Sequence, residues 1–107
     1  MPSRENIVAK SIVDAAFTVH TKLGPGLLES VYEAAMELEL KRRGHVVDKQ
    51  VPIPVYYDDT KLECGFRADL IIDGCVLVEI KSLETLPQVA FKIVLTYLKV
   101  SDLKLGI

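Results

Sequence analysis

The chain has 107 residues, half of them hydrophobic and about a quarter charged, with a formal net charge of −2. That length and composition suit one globular domain, residues 1–107, and exclude both a two-core protein and a disordered one. The slightly acidic balance excludes the broad attraction to phosphate of a strongly basic nucleic-acid binder, and the short cluster Lys41-Arg42-Arg43 reads as the cationic end of a helix.

The N-terminus carries Glu5 and has no continuous apolar stretch, so a signal peptide is not expected. No apolar run approaches the ~20 residues needed to span a bilayer, and the expected location is the cytoplasm, away from membranes. Two cysteines, Cys64 and Cys75, fall on neighbouring predicted strands and are expected to be reduced and packed. Neither has the companion His or Cys residues that a zinc site requires.

In chain order, Ile7, Val8, Ile12, Ala15, Ala16, Val19 and Leu23 recur at helical spacing and predict a first helix over Glu5–Leu23. Gly24-Pro25-Gly26 stops it. A second helix is expected over Leu28–Arg43, with an apolar stripe of Leu28, Val31, Ala35 and Leu38, and Gly44 at its C′ position. From Val46 the pattern turns to β. Pro52 and Pro54 mark the first strand as an edge strand or a bulged one. Asp58 to Thr60 form a turn, the strand ending in "RADLII" follows, and Asp73-Gly74 turns the chain into "CVLVEIK". A helix over about Gln88–Leu98 and a last strand in "LKLGI", Leu103 to Ile107, complete an α+β or α/β domain with a central sheet.

The strand pair "ADLIIDGCVLVEIKS" carries charges where burial would forbid them. Glu79 and Lys81 share a face because side chains alternate along a strand. Asp69 depends on the turn. A two-residue type I′ hairpin pairs Ile72 with Cys75 and puts Asp69 and Glu79 on opposite faces. A type I turn with a bulge at Gly74 pairs Ile71 with Cys75 and puts the two carboxylates on one face. Asp followed by Gly fits both turns. On one face, two carboxylates supply hard oxygen ligands for Mg²⁺, and a lysine beside them can orient water or neutralise charge on a phosphoryl oxygen. The competing reading pairs Asp69 and Glu79 with Lys81 and Arg67 across a solvent-facing sheet.

The ordered segments "GPGLLESVYEAAMELELKRRG", "QVPIPVYY", "FRADLIIDGCVLVEIKS" and "LTYLK" resemble the GxxExxY family of the PD-(D/E)XK nuclease superfamily over nearly all of Leu23–Gly106, with Gly26, Glu29 and Tyr32 as the naming motif. The resemblance implies a restriction-endonuclease-like core, a central mixed β-sheet flanked by helices in the order ααβββαβ. It implies a Mg²⁺-dependent nuclease, with Mn²⁺ as a substitute metal, acting on DNA or RNA, and a homodimer that reaches both strands. Asp69, Glu79, the Ile80 carbonyl and Glu29 would be metal ligands and Lys81 the catalytic lysine. Tyr32 is expected to pack rather than react. The chain departs from the family where members carry a His and a Gln ahead of "LLTYLK". Ala90 and Ile93 stand at those positions, and Lys92 is one residue off. That departure supports a second expectation, a catalytically impaired nuclease-fold protein serving as a binding or assembly module.

Overall fold

The computed structural model describes residues 3–63, 65–82 and 91–97. Helix α1 spans Arg4–Leu23 and α2 spans Glu29–Arg42. Strands β1 (Val47–Ile53), β4 (Phe66–Ile72), β5 (Val76–Ser82) and β6 (Phe91–Tyr97) form a sheet in the order β1-β4-β5-β6, and β2 (Tyr56–Tyr57) and β3 (Thr60–Lys61) form a separate hairpin. Every strand pairing among the described residues is antiparallel, so the sheet is not the mixed one expected. The α+β class holds. Cys64, Gln88 to Ala90 and the expected final strand, Leu103 to Ile107, lie outside the described residues.

Each helix begins and ends for local reasons. Ser3 caps α1 by accepting the Asn6 N–H at 3.2 Å. Helix α2 closes in a Schellman motif: His45 N–H donates to Leu40 O at 3.1 Å and Gly44 N–H to Lys41 O at 3.0 Å, with Gly44 at a φ of 90° that favours glycine. Val8, Ala9, Ile12, Ala15 and Val19 form the buried stripe of α1. On α2 the stripe is Tyr32, Met36 and Leu40, not Leu28, Val31 and Leu38, which are exposed. Both series repeat at helical spacing, and the strand below selected the larger, more continuous one.

The helices lie on one face of the sheet, where Leu70, Ile72, Val76, Val78 and Ile80 meet Ile12, Val19, Met36 and Leu40. A smaller cluster of Ile53, Ala68, Ile71 and Leu77 belongs to the opposite face. β1 is the edge strand, as its internal Pro52 requires. The expected helix over Gln88–Leu98 is corrected in its described part, Phe91–Tyr97, which is strand β6. Ile93 and Leu95, two residues apart, both pack on the helix-side core, while Val94 between them is exposed. That is a period of two, and the β-branched and aromatic content of the segment favours it.

The turn end of β4–β5 is tied to both helical elements through Asp73. Its Oδ2 lies 2.6 Å from His45 Nδ1, and His45 Nε2 lies 2.7 Å from Ser11 Oγ on α1. Asp73 Oδ1 accepts the Val46 N–H at 2.8 Å, the Asp73 N–H donates to Val46 O at 2.8 Å, and Arg4 Nη2 donates to Asp73 O at 2.9 Å. Burial pushes the Asp73 carboxyl up, but the bonds from His45 and Val46 together pull it down, and the net direction is below the ordinary value of 3.8. A carboxyl that binds its proton more weakly folded than unfolded contributes stability above that ordinary value and loses it as pH falls through the lower, folded one. Asp73→Ala should therefore cost about 1–3 kcal/mol in urea unfolding at neutral pH. It should also flatten the loss of stability below pH 3.8, the ordinary carboxyl value.

Candidate active site

The β4–β5 register pairs Leu70 with Val78, Ile71 with Leu77 and Ile72 with Val76. The loop is thus Asp73-Gly74-Cys75, with Asp73 at a φ of 52° and Gly74 at 68°, and neither register expected from the sequence occurs. Asp adopts the left-handed region more readily than most residues, and here its carboxylate also accepts the Val46 N–H from across the fold. Continued past Leu70↔Val78, the same count would set Asp69 opposite Glu79, but the ladder ends at Leu70.

The pairing stops there. Instead of completing the ladder, β4 turns the Asp69 side chain into the gap, and its Oδ2 accepts the Ile80 N–H at 2.8 Å. In an antiparallel strand a residue's N–H and C=O point to the same side. Because the Ile80 N–H points toward β4, its carbonyl points to the same side of β5. On its other side β5 remains paired with β6 through Ser82, which anchors Glu79 and Lys81 on a continuous ladder. Asp69 and Glu79 are half-buried and Lys81 is exposed. The same register sets Lys92 opposite Lys81, a second cation position that no spacing in the sequence revealed because it follows from the strand pairing.

Among the described residues, the ion pairs join Lys41 and Lys49 to Glu37, Arg43 to Glu39 and His45 to Asp73, and none joins Asp69 or Glu79 to Lys81 or Arg67. The paired-charge reading of the strand pair thus lacks its contacts. Glu29 opens α2 and is exposed, and among the described residues no three His, Cys, Asp or Glu side chains converge as a metal-binding group. Tyr32 packs, as expected, and is fully buried. Its hydroxyl also donates to Gly24 O at 2.7 Å and accepts the Leu27 N–H at 3.1 Å, which fixes the loop that leads into Glu29.

A cleft of about 460 Å³ adjoins the far end of β4, lined by Lys61, Phe66 and Arg67 with Pro52 and Pro54 of the edge strand and its continuation. It does not contain the carboxylates, but Arg67 is only two residues along β4 from Asp69. No helix among the described residues is long and apolar enough to cross a membrane.

A strand pair bearing Asp, then Glu-x-Lys, on an α+β scaffold is the pattern of one nuclease superfamily, and the sequence model of the PD-(D/E)XK nuclease superfamily matches residues 6–107. The chain belongs to that superfamily. Comparison with curated proteins and with solved structures gives no match. PD-(D/E)XK membership carries nuclease-type function, nucleic acid as the class of ligand, and a general use of divalent metal ions. The Asp69 carboxylate, held by the Ile80 N–H, is a hard oxygen donor of the kind such an ion takes.

Removing the acceptor at the gap should be felt in stability as well as in any chemistry. Asp69→Asn retains an oxygen for the Ile80 N–H and should stay within about 1 kcal/mol of wild type, whereas Asp69→Leu strands the amide and should cost about 1–3 kcal/mol. Urea denaturation of the two variants checks this, and equal stabilities would contradict it.

Proposed function

We propose that the protein is a cytoplasmic Mg²⁺-dependent phosphodiesterase acting on DNA or RNA, of the GxxExxY type, with Mn²⁺ as a substitute metal. The observation that supports the reading is the Asp69–Ile80 hydrogen bond, which ties the Asp69 carboxylate to the strand that carries Glu79 and Lys81. One Asp69 oxygen is engaged by the Ile80 amide, and the other has no hydrogen bond among the described residues. Asp69, Glu79 and the Ile80 carbonyl would hold the ion, and Glu29 would approach from the first turn of α2.

The bound ion would supply charge neutralisation at the phosphoryl oxygens and a water of lowered pKa. The remaining work falls to the chain. Lys81, exposed on the same face as Glu79, would donate to a non-bridging phosphoryl oxygen and hold the attacking water in line. The water oxygen would bond to phosphorus and pass its proton to solvent, the bond to the leaving oxygen would break, and that oxygen would take a proton from solvent. Arg67 and Lys61, in the cleft along β4, would grip neighbouring phosphates. A homodimer would present two such sites to the two strands of a duplex.

A second reading, a nuclease-fold module that binds without cleaving, is favoured by one observation. Ile93, where the family carries a polar residue, packs into the helix-side core from strand β6. The two readings diverge in measurable ways. Isothermal titration should show one Mn²⁺ site in wild type that Asp69→Ala abolishes. Lys81→Ala should lower kcat about 10²–10³-fold with metal affinity little changed. Metal-independent binding with no cleavage across single- and double-stranded substrates would decide for the module.

A further inference from the structure

Of the four non-glycine residues at positive φ among the described residues, three are aspartates in turns, Asp58, Asp59 and Asp73. The fourth is Gln50, at a φ of 50° inside strand β1. Glutamine has no intrinsic liking for the left-handed region, and such a conformation persists in a strand only where its surroundings hold it. Here the holder is α2. The Gln50 side-chain amide donates to both carboxylate oxygens of Glu33, at 2.9 and 3.1 Å.

The consequence falls on Asp69. The β1–β4 register pairs Val47, Asp48 and Lys49 with Ile72, Ile71 and Leu70, then resumes with Val51, Pro52 and Ile53 against Ala68, Arg67 and Phe66. The pair stepped over is Gln50 with Asp69. The pleat changes phase at the same step. Val47 and Leu70 pack toward the helices, whereas Val51 and Ala68, an even number of residues away, pack with the opposite cluster. An extended Gln50 would let β4 run straight. Asp69 and Glu79 would then stand side by side as like charges directly opposed, and the count would return the Ile80 amide to Ala68.

We propose that Gln50 is a positioning residue for the carboxylate pair: its left-handed backbone, anchored by Glu33, interrupts β4 at Asp69 and turns that carboxylate into the strand gap onto the Ile80 amide. This rests on the reading of Asp69 as a metal ligand and adds the device that aims it. Backbone strain placed beside a functional carboxylate, with a hydrogen-bonded support behind it, is how metal ligands are oriented elsewhere.

The test uses NMR of the metal-free protein together with Mn²⁺ titration. Wild type should show a through-hydrogen-bond coupling between the Ile80 amide nitrogen and the Asp69 carboxyl carbon. Gln50→Gly, which accepts the left-handed backbone, should keep that coupling and a Mn²⁺ affinity within about threefold of wild type. Gln50→Val, whose β-branched side chain resists positive φ, should lose the coupling and weaken Mn²⁺ binding by about 10–100-fold. If Gln50→Val does not fold, Glu33→Ala takes its place, with the same two losses expected. Absence of the coupling in wild type, or an intact coupling with unchanged affinity in the folded Val or Ala variant, overturns the proposal. Wild type with the coupling but no Mn²⁺ binding instead overturns the metal reading and leaves the positioning of Asp69 standing.

Discussion

Where β4 and β5 part, the Ile80 amide loses its strand partner, and a buried or half-buried amide without an acceptor is expensive. Asp69 supplies the acceptor at 2.8 Å, and the rest of the site follows from that substitution. Glu79 and Lys81 stay on a strand whose other edge is still fully paired, so the break widens a gap without loosening the side chains around it.

Two constraints fix where the strands part, one at the turn that follows β4 and one across from Asp69 in its middle. At the turn, Asp73 is held by Val46, His45 and Arg4, and His45 is itself delivered by the Schellman closure of α2 and steadied by Ser11 on α1. That clamp sets a three-residue loop and hence the β4–β5 register, whose ladder ends at Leu70. On the other flank the left-handed Gln50, bonded to Glu33, prevents β1 from completing its ladder at the same residue. Both constraints reach the sheet from the helical layer, so the helices do more than cover the core.

The described part of the chain beyond Ser82 is a strand where the sequence led us to expect a helix. In the described residues that segment is β6, antiparallel to β5, and Ile93 and Leu95 face the helices. That strand pairs along β5 and sets Lys92 across from Lys81 in the register. Arg67 of β4 and Lys61 of β3 line one cleft in a chain that is otherwise slightly acidic. The field that meets a phosphate is local to that cleft rather than spread over the molecule.

Much of this was legible in the residues themselves. Helical periodicity in 5–23 and 28–43, the stop at Gly24-Pro25-Gly26, Gly44 after the second helix and Pro52 in an edge strand are local signals, and they appear as elements close to those bounds. The ordered Asp69, Glu79 and Lys81 pattern, with the superfamily match, identified the strand pair as the place to look. The residues could not say which of two apolar series on α2 would face the sheet, because both repeat at the same spacing. Nor could they say whether Phe91–Tyr97 would be helix or strand, since a short apolar run serves either period until a partner strand is present. Above all, the turn residues Asp73-Gly74 permitted more than one register. The choice was made by His45 and Val46, 28 and 27 residues away, and by Gln50 across the sheet. Hydrogen bonds between segments so distant in the chain exist only after the layers have packed, and for that reason tertiary structure alone decided where Asp69 points.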